Sequence, residues 1–250
     1  MSGLRTYLTG WTHLDRLGDN RVKQAGSRFS RFDWRTIGGV RIVVAAFGIL
    51  CGLTGVIAGY FEISQGNVET SDLVISTIGP EYGLANDFTY FAFTIVPNML
   101  VTGILAVVFS IAATAWAIGF VHMKNGTLVL LGLFVGQTLV GGGWILDLAI
   151  ITIILSTRIG RPLTWWRSHF PVGLRILCDR LLPLALFSYV IISFALLAVT
   201  VLSVRNPSLM TYMDPIATAM FIPMVLMVFG ALAHDVGRLL RTQIQDATLT

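Results

Sequence analysis

The sequence predicts an all-α membrane protein: a polytopic transmembrane helix bundle of about six spans, with the N- and C-termini cytoplasmic. Three observations predict it. Hydrophobic residues make up 55% of the chain and charged residues 12%, against about 25% charged in soluble domains, and mean hydropathy is +0.77. The apolar residues fall in long, nearly uncharged runs, matching the ~20 residues that cross a hydrocarbon layer of about 30 Å. The segments between the runs sort their charges, with Lys and Arg crowded into some and absent from others, as positive-inside sorting requires.

Residues 1–41 form a basic arm. Arg5, Arg16, Arg21, Lys23, Arg28, Arg31, Arg35 and Arg41 outweigh Asp15, Asp19 and Asp33, which places the arm in the cytoplasm. Leu4, Tyr7, Leu8, Trp11, Leu14 and Leu17 recur at three- and four-residue steps and share one face of an amphipathic helix. That face lies either in the membrane interface or against the protein's own cytoplasmic side. The transmembrane bundle is expected over 42–237. Its first span, 42–61, carries Gly48, Gly52, Gly55 and Gly59, two GxxxG pairs whose bare backbone lets another helix approach closely. Packing within the molecule is the preferred reading and a homodimer face the alternative. Residues 62–90 hold Glu62, Glu69, Asp72, Glu81 and Asp87 with no Lys or Arg, so the segment is expected to be an extracytoplasmic loop.

The second span, 91–121, exceeds the length needed and is expected to tilt. Pro97 interrupts its backbone ladder near the outer end, and a polar turn at 122–126 closes it. Residues 127–157 admit two readings. As one helix they cross once, giving five spans in all. As two arms, 127–140 and 144–157, they turn at Gly141-Gly142-Gly143, because three glycines are poor helix formers and good turn formers. The hairpin is preferred. The segment 158–180 mixes Arg with Trp, the composition of a cytoplasmic stretch at headgroup level. Arg161, Trp165, Trp166 and Arg167 are its candidate lipid contacts, and anionic lipids the expected partners. Spans at 181–204 and 215–233 follow, separated by a short outer loop in which Arg205 departs from the charge rule, and 238–250 is a cytoplasmic tail.

An ionisable residue at membrane depth is a functional hypothesis by default. Asp147 is the one carboxylate inside an expected span. With Asn98 and Gln137 it forms the candidate intramembrane polar site, since Gln137 and Asp147 flank the glycine turn at similar offsets. The plainer alternative is a hydrated carboxylate that stabilises the hairpin. His13, His122, His169 and His234 fall in the arm or at helix margins, so no haem or metal site is expected. Cys51 and Cys178 fall at different levels, so no disulfide is expected. No GxSxG, P-loop, HExxH or CxxC signature is present, so neither catalytic residues nor a cofactor are expected. The net charge of +4 resides in juxtamembrane segments and implies no nucleic-acid partner.

At Lys124-Asn125-Gly126-Thr127-Leu128-Val129-Leu130, followed by Leu139-Val140-Gly141-Gly142-Gly143, the chain resembles a loose group of prokaryotic membrane proteins of unassigned function, over roughly residues 93–160. Those proteins often carry proline after the glycines, where Trp144-Ile145 stands here. The resemblance implies topology only and no activity; the membrane expected is a prokaryotic plasma (inner) membrane. The function expected first is translocation of a small solute or ion. The alternative is a membrane assembly or anchoring subunit that binds a partner, or a second copy, through 1–41 and 158–180. A lipid-modifying enzyme comes third, for want of a reactive constellation.

Overall fold

A computed structural model of the chain describes residues 38–70, 72–78, 90–143, 146–161, 163, 166, 169 and 171–249. The amphipathic arm, and Trp165 and Arg167 of the expected lipid contacts, lie outside the described residues. Among the described residues there are six α-helices: α1 Gly39–Gln65, α2 Met99–Gly119, α3 Gly126–Leu139, α4 Leu146–Ser156, α5 Val172–Ser203 and α6 Met213–Leu249. Strands β1 Val74–Ile78 and β2 Tyr90–Phe93 form an antiparallel pair. Four stretches, α1, α2, α5 and 207–238, are long and apolar enough to cross a membrane. That is the makeup of an integral membrane protein. The outward faces agree: Val101, Ile104, Val108 and Ile111 of α2 and Leu184, Phe187, Ile191 and Phe194 of α5 are exposed, forming apolar surface that lipid tails would cover.

Successive helices run in opposite directions. Gly48 meets Ala117 and Gly59 meets Gly103, which sets α1 antiparallel to α2. The Ser156 and Thr127 hydroxyls meet at 3.1 Å, which closes α3 and α4 into a hairpin. Gly230 backs onto Cys178, and Ser193 lies against Met220, pairing α5 with α6. His122, Lys124, Arg158 and Arg161 therefore gather at one end, called the basic end below, and the sheet closes the other. α1 is the central helix. Its Val43, Val44, Phe47 and Cys51 are buried against residues of α3, α4, α5 and α6, and Phe47 meets Tyr189 edge-on at 5.2 Å.

Helix ends depart from the sequence reading for local reasons. α1 starts at Gly39 because Asp235 of α6 accepts the Gly39 (2.6 Å) and Val40 (3.3 Å) amides, replacing the cap that Gly38 lacks. It runs on to Gln65, whose side chain donates to Ser76 O and Thr77 O at 3.1 Å each. The second span begins only at Met99. Pro97 ends an extended segment instead of kinking a helix, since the residue before a proline is pushed to extended geometry, and Asn98 caps α2 by accepting the Val101 amide (3.1 Å). Part of the expected 62–90 loop is strand. α5 starts at Val172, well before the expected 181, and passes through Pro183. α6 extends to Leu249, so the expected tail is helical over most of its length.

The helix break in 127–157 falls at the three glycines. Gly142 N donates to Gln137 O (2.8 Å), the six-to-one bond of a Schellman cap, with Gly141 at φ 85. The backbone freed by the break is taken up by the sheet. Gly141 N donates to Phe93 O (2.9 Å) and Ile95 N to Leu139 O (3.0 Å), while Thr94 N donates to Leu73 O (2.8 Å) on the other side. The hairpin tip thus joins the sheet as a short third edge.

Candidate functional site

The four glycines of α1 make a continuous ridge. A methyl on Gly48 would strike Ala117; on Gly52, Thr114 and Ser110; on Gly55, Ser110 and Gln137; on Gly59, Gly103, Val107 and Ala106. The ridge faces α2 throughout and, at Gly55, the hairpin as well. Close backbone approach of this kind replaces the hydrophobic drive that lipid removes.

One more residue continues the ridge. Glu62 follows Gly48, Gly52, Gly55 and Gly59 at steps of four, three, four and three, the repeat that keeps residues on one helix face. It is 0% exposed. Thr77 of β1 donates to its Oε1 at 3.2 Å, and its Oε2 has no hydrogen-bond partner. Among the described residues no Lys, Arg or His pairs with it. The Gly141 backbone at the hairpin tip lies directly over the carboxylate: a methyl there would stand 2.5 Å from either oxygen and from Thr102 Cγ2. Thr102 in turn shares a hydrogen bond with Thr94 (2.8 Å), and both hydroxyls reach Val96 O. Glu62, Thr77, Thr94 and Thr102 are all buried, so helix, sheet and hairpin tip converge on one enclosed acid.

Of the residues picked from sequence, Gln137 lies deepest, 2% exposed. It donates through Nε2 to Cys51 O in the middle of α1 (2.9 Å) and to Gly142 O (3.4 Å), leaving Oε1 unpartnered. Ser110, beside it across Gly55, also has an unpartnered hydroxyl. Asp147 is in the first turn of α4 and exposed, within electrostatic reach of Cys51 and Tyr189. Asn98 caps α2 and donates to Asn67 at 2.6 Å. No hydrogen bond joins Asn98, Gln137 and Asp147 to one another among the described residues. Arg161 is exposed at the basic end, and Trp166 packs on Phe229 of α6 (5.6 Å).

Sequence reasoning missed Glu62 by ending the first span at Phe61 and assigning the acid to a solvated loop. The ridge spacing was the available signal: a carboxylate in step with four glycines belongs to their packed face. Asp179 and Asp235 are two further acids within the helices, at the basic end. Asp179 meets His234 at 2.7 Å and Asp235 caps α1. Comparison with known protein families, curated proteins and solved structures finds no significant match to this chain.

Proposed function

We propose that the chain is a multi-pass membrane protein that moves protons or small cations, and that Glu62 is the group that takes and releases the charge. The observation that carries this is a fully buried carboxylate with one unpartnered oxygen, set against non-helical backbone. A carboxylate removed from water must hold a proton or be joined by a cation, since isolated burial of the ion is prohibitive. Intramembrane acids facing a bundle interior mark such pathways. Broken helices are a recurrent device for placing backbone at an ion site. Here the break stands directly over the acid. Gln137 and Asp147 extend the reading along the same hairpin, Gln137 through its free Oε1 beside Ser110 and Asp147 at the exposed start of α4.

In this proposal all six helices cross, the short hairpin included, both termini lie on the basic side, and that side is cytoplasmic by its Lys and Arg content. The assembly-subunit alternative rests on 1–41, nearly all outside the described residues, and on 158–180, partly outside them. No observation favours it over translocation. The test is flux through the purified chain in liposomes, read by an internal pH dye with and without Na⁺ or K⁺ gradients. Glu62→Gln keeps the size and the Thr77 contact but holds no exchangeable charge. It is expected to cut flux at least tenfold while melting within a few degrees of wild type. Undiminished flux in Glu62→Gln, or no flux in wild type under any of these gradients, overturns the proposal.

A further inference from the structure

A second feature lies at the opposite end of the hairpin. The chain leaves α2 at Gly119 and turns into α3 through Asn125, whose φ of 64 is left-handed. Trp116 Nε1 donates to Gly126 O (2.9 Å) and pins the start of α3 against α2. Between this turn and the end of α4 lies a cavity of about 420 Å³, within the size range of small-ligand sites. Its polar lining is His122, Asn125, Thr127, Ser156, Thr157 and Arg161, with no Asp or Glu among the described residues. Arg161 has no carboxylate partner among the described residues. Thr127 Oγ1 lies 3.1 Å from Ser156 Oγ, whose one proton goes to Ile153 O (2.7 Å), so the Thr127 hydroxyl can turn to a ligand at the loss of that single contact. Asn125 makes no capping bond to α3, which leaves its amide available as well. The remaining wall is apolar, formed by Val121, Leu128 and Ile159 among others.

We propose that this cavity binds a phosphate ester. A lining of donors without a carboxylate repels cations and accepts anions. Arg161 offers the planar fork that matches phosphate oxygens two at a time, with the Thr127 hydroxyl and the Asn125 amide beside it to complete the oxyanion's shell. The volume exceeds what an inorganic ion fills, and the apolar wall suits the carbon skeleton attached to the phosphate. The cavity opens at the basic end beside Trp116, the level at which bilayer phosphates stand and at which basic pockets hold anionic headgroups. The same chemistry is offered by an anionic phospholipid and by a soluble phosphate.

The experiment uses the full chain in detergent with three probes: phosphatidylglycerol, phosphatidylcholine and inorganic phosphate. Lipid retention is read by native mass spectrometry and the effect of phosphate by melting. Wild type is expected to retain phosphatidylglycerol over phosphatidylcholine. Arg161→Gln and Thr127→Val are each expected to retain it about tenfold less, while Arg205→Gln, at the far end, binds as wild type. A melting shift with phosphate alone, absent in Arg161→Gln, assigns the site to a soluble phosphate and still supports the proposal. Equal retention of the two lipids with no phosphate effect overturns it, as does undiminished binding in both cavity variants. Thr127→Val guards against a folding defect in Arg161→Gln, because Ser156 keeps its bond to Ile153 O (2.7 Å) when the threonine hydroxyl is removed.

Discussion

Gly59→Ala is expected to destabilise the bundle, although alanine is the better helix former. Gly59 sits where the bare backbones of α1 and α2 face each other, opposite Gly103. A methyl there would stand 2.7 Å from Gly103 O, 2.9 Å from Val107 Cγ2 and 3.2 Å from Ala106 Cβ. The reverse contact is as tight, since a methyl on Gly103 would meet Gly59 O at 2.5 Å and Ile63 N at 2.8 Å. Val107 can rotate, but a backbone oxygen in a helix cannot, so the two helices must part by roughly half an ångström or more. A gap of about 0.5–1 Å forfeits a quarter to a half of each dispersion well along the crossing, and overpacking of this kind costs about 1–3 kcal/mol. The propensity gain of Ala over Gly offsets at most ~1 kcal/mol. The net expectation is a loss of about 1–2 kcal/mol, a factor of roughly 5–30 in the folded-to-unfolded ratio. Gly132, exposed within α3 and with nothing inside 4 Å of its added methyl, supplies the contrast: Gly132→Ala is expected to stabilise by about 0.5–1 kcal/mol. Unfolding equilibria of both variants in the same bicelles measure the difference. If Gly59→Ala matches wild type, or if Gly132→Ala is the more damaging of the two, the close-approach reasoning fails.

Asp235→Ala removes a carboxylate that accepts two amides at the start of α1. It is expected to lower stability by about 1–3 kcal/mol, with Asp235→Asn recovering part of the loss, as followed by thermal melting in detergent. Gln137→Leu removes the bond to Cys51 O, yet that carbonyl still accepts from Thr54 (3.0 Å) and an unpartnered Oε1 goes with it. Stability is therefore expected to fall by no more than about 1 kcal/mol, while flux in liposomes drops several-fold. Intact flux in a well-folded Gln137→Leu would remove Gln137 from the pathway.

The parts of this fold that hydropathy reports were legible, and the parts that depend on partners were not. The long apolar runs at 42–61, 181–204 and 215–233 fall within α1, α5 and α6, because lipid-facing residues advertise themselves by composition. Gly141-Gly142-Gly143 announced a break, because three residues without Cβ leave a helix nothing to gain there. Pro97 was read as an interruption of a span and Asn98 as part of an intramembrane polar site, although Asn followed by an apolar run is also a capping signal. The choice turned on β2, whose pairing with β1 is long-range and leaves no local trace. Glu62 was misplaced for a related reason. Local composition shows an acid next to an acidic loop, and only the third dimension shows Thr77 and Gly141 closing over it. Gln137 was picked for its polarity, but its partner, a carbonyl 86 positions earlier in the chain, could not have been named from sequence.

The short hairpin and the sheet explain one another. α3 has 14 residues and α4 has 11, so at ~1.5 Å per residue they rise about 21 and 17 Å. That is less than the ~30 Å of hydrocarbon a spanning pair must cross. In the proposed six-span topology the shortfall is met by backbone outside any helix. In lipid such backbone is tolerated only when its N–H and C=O groups are paired within the protein. Here the extended segment 93–95 pairs the hairpin tip on one side and β1 on the other, which makes non-helical glycine backbone affordable at this level. A full-length helix in place of α3 would present Glu62 with side chains and keep its own carbonyls in ladder bonds. The broken hairpin instead lays bare peptide against the acid. It is held there by the two edge hydrogen bonds, the Schellman bond and the Gln137 side chain on Gly142 O (3.4 Å). Movement of the tip would need only those few bonds to exchange, leaving α1, α2 and the glycine ridge intact. In the proposed function this is the element that opens Glu62 to one side of the membrane while the ridge holds the rest of the bundle still.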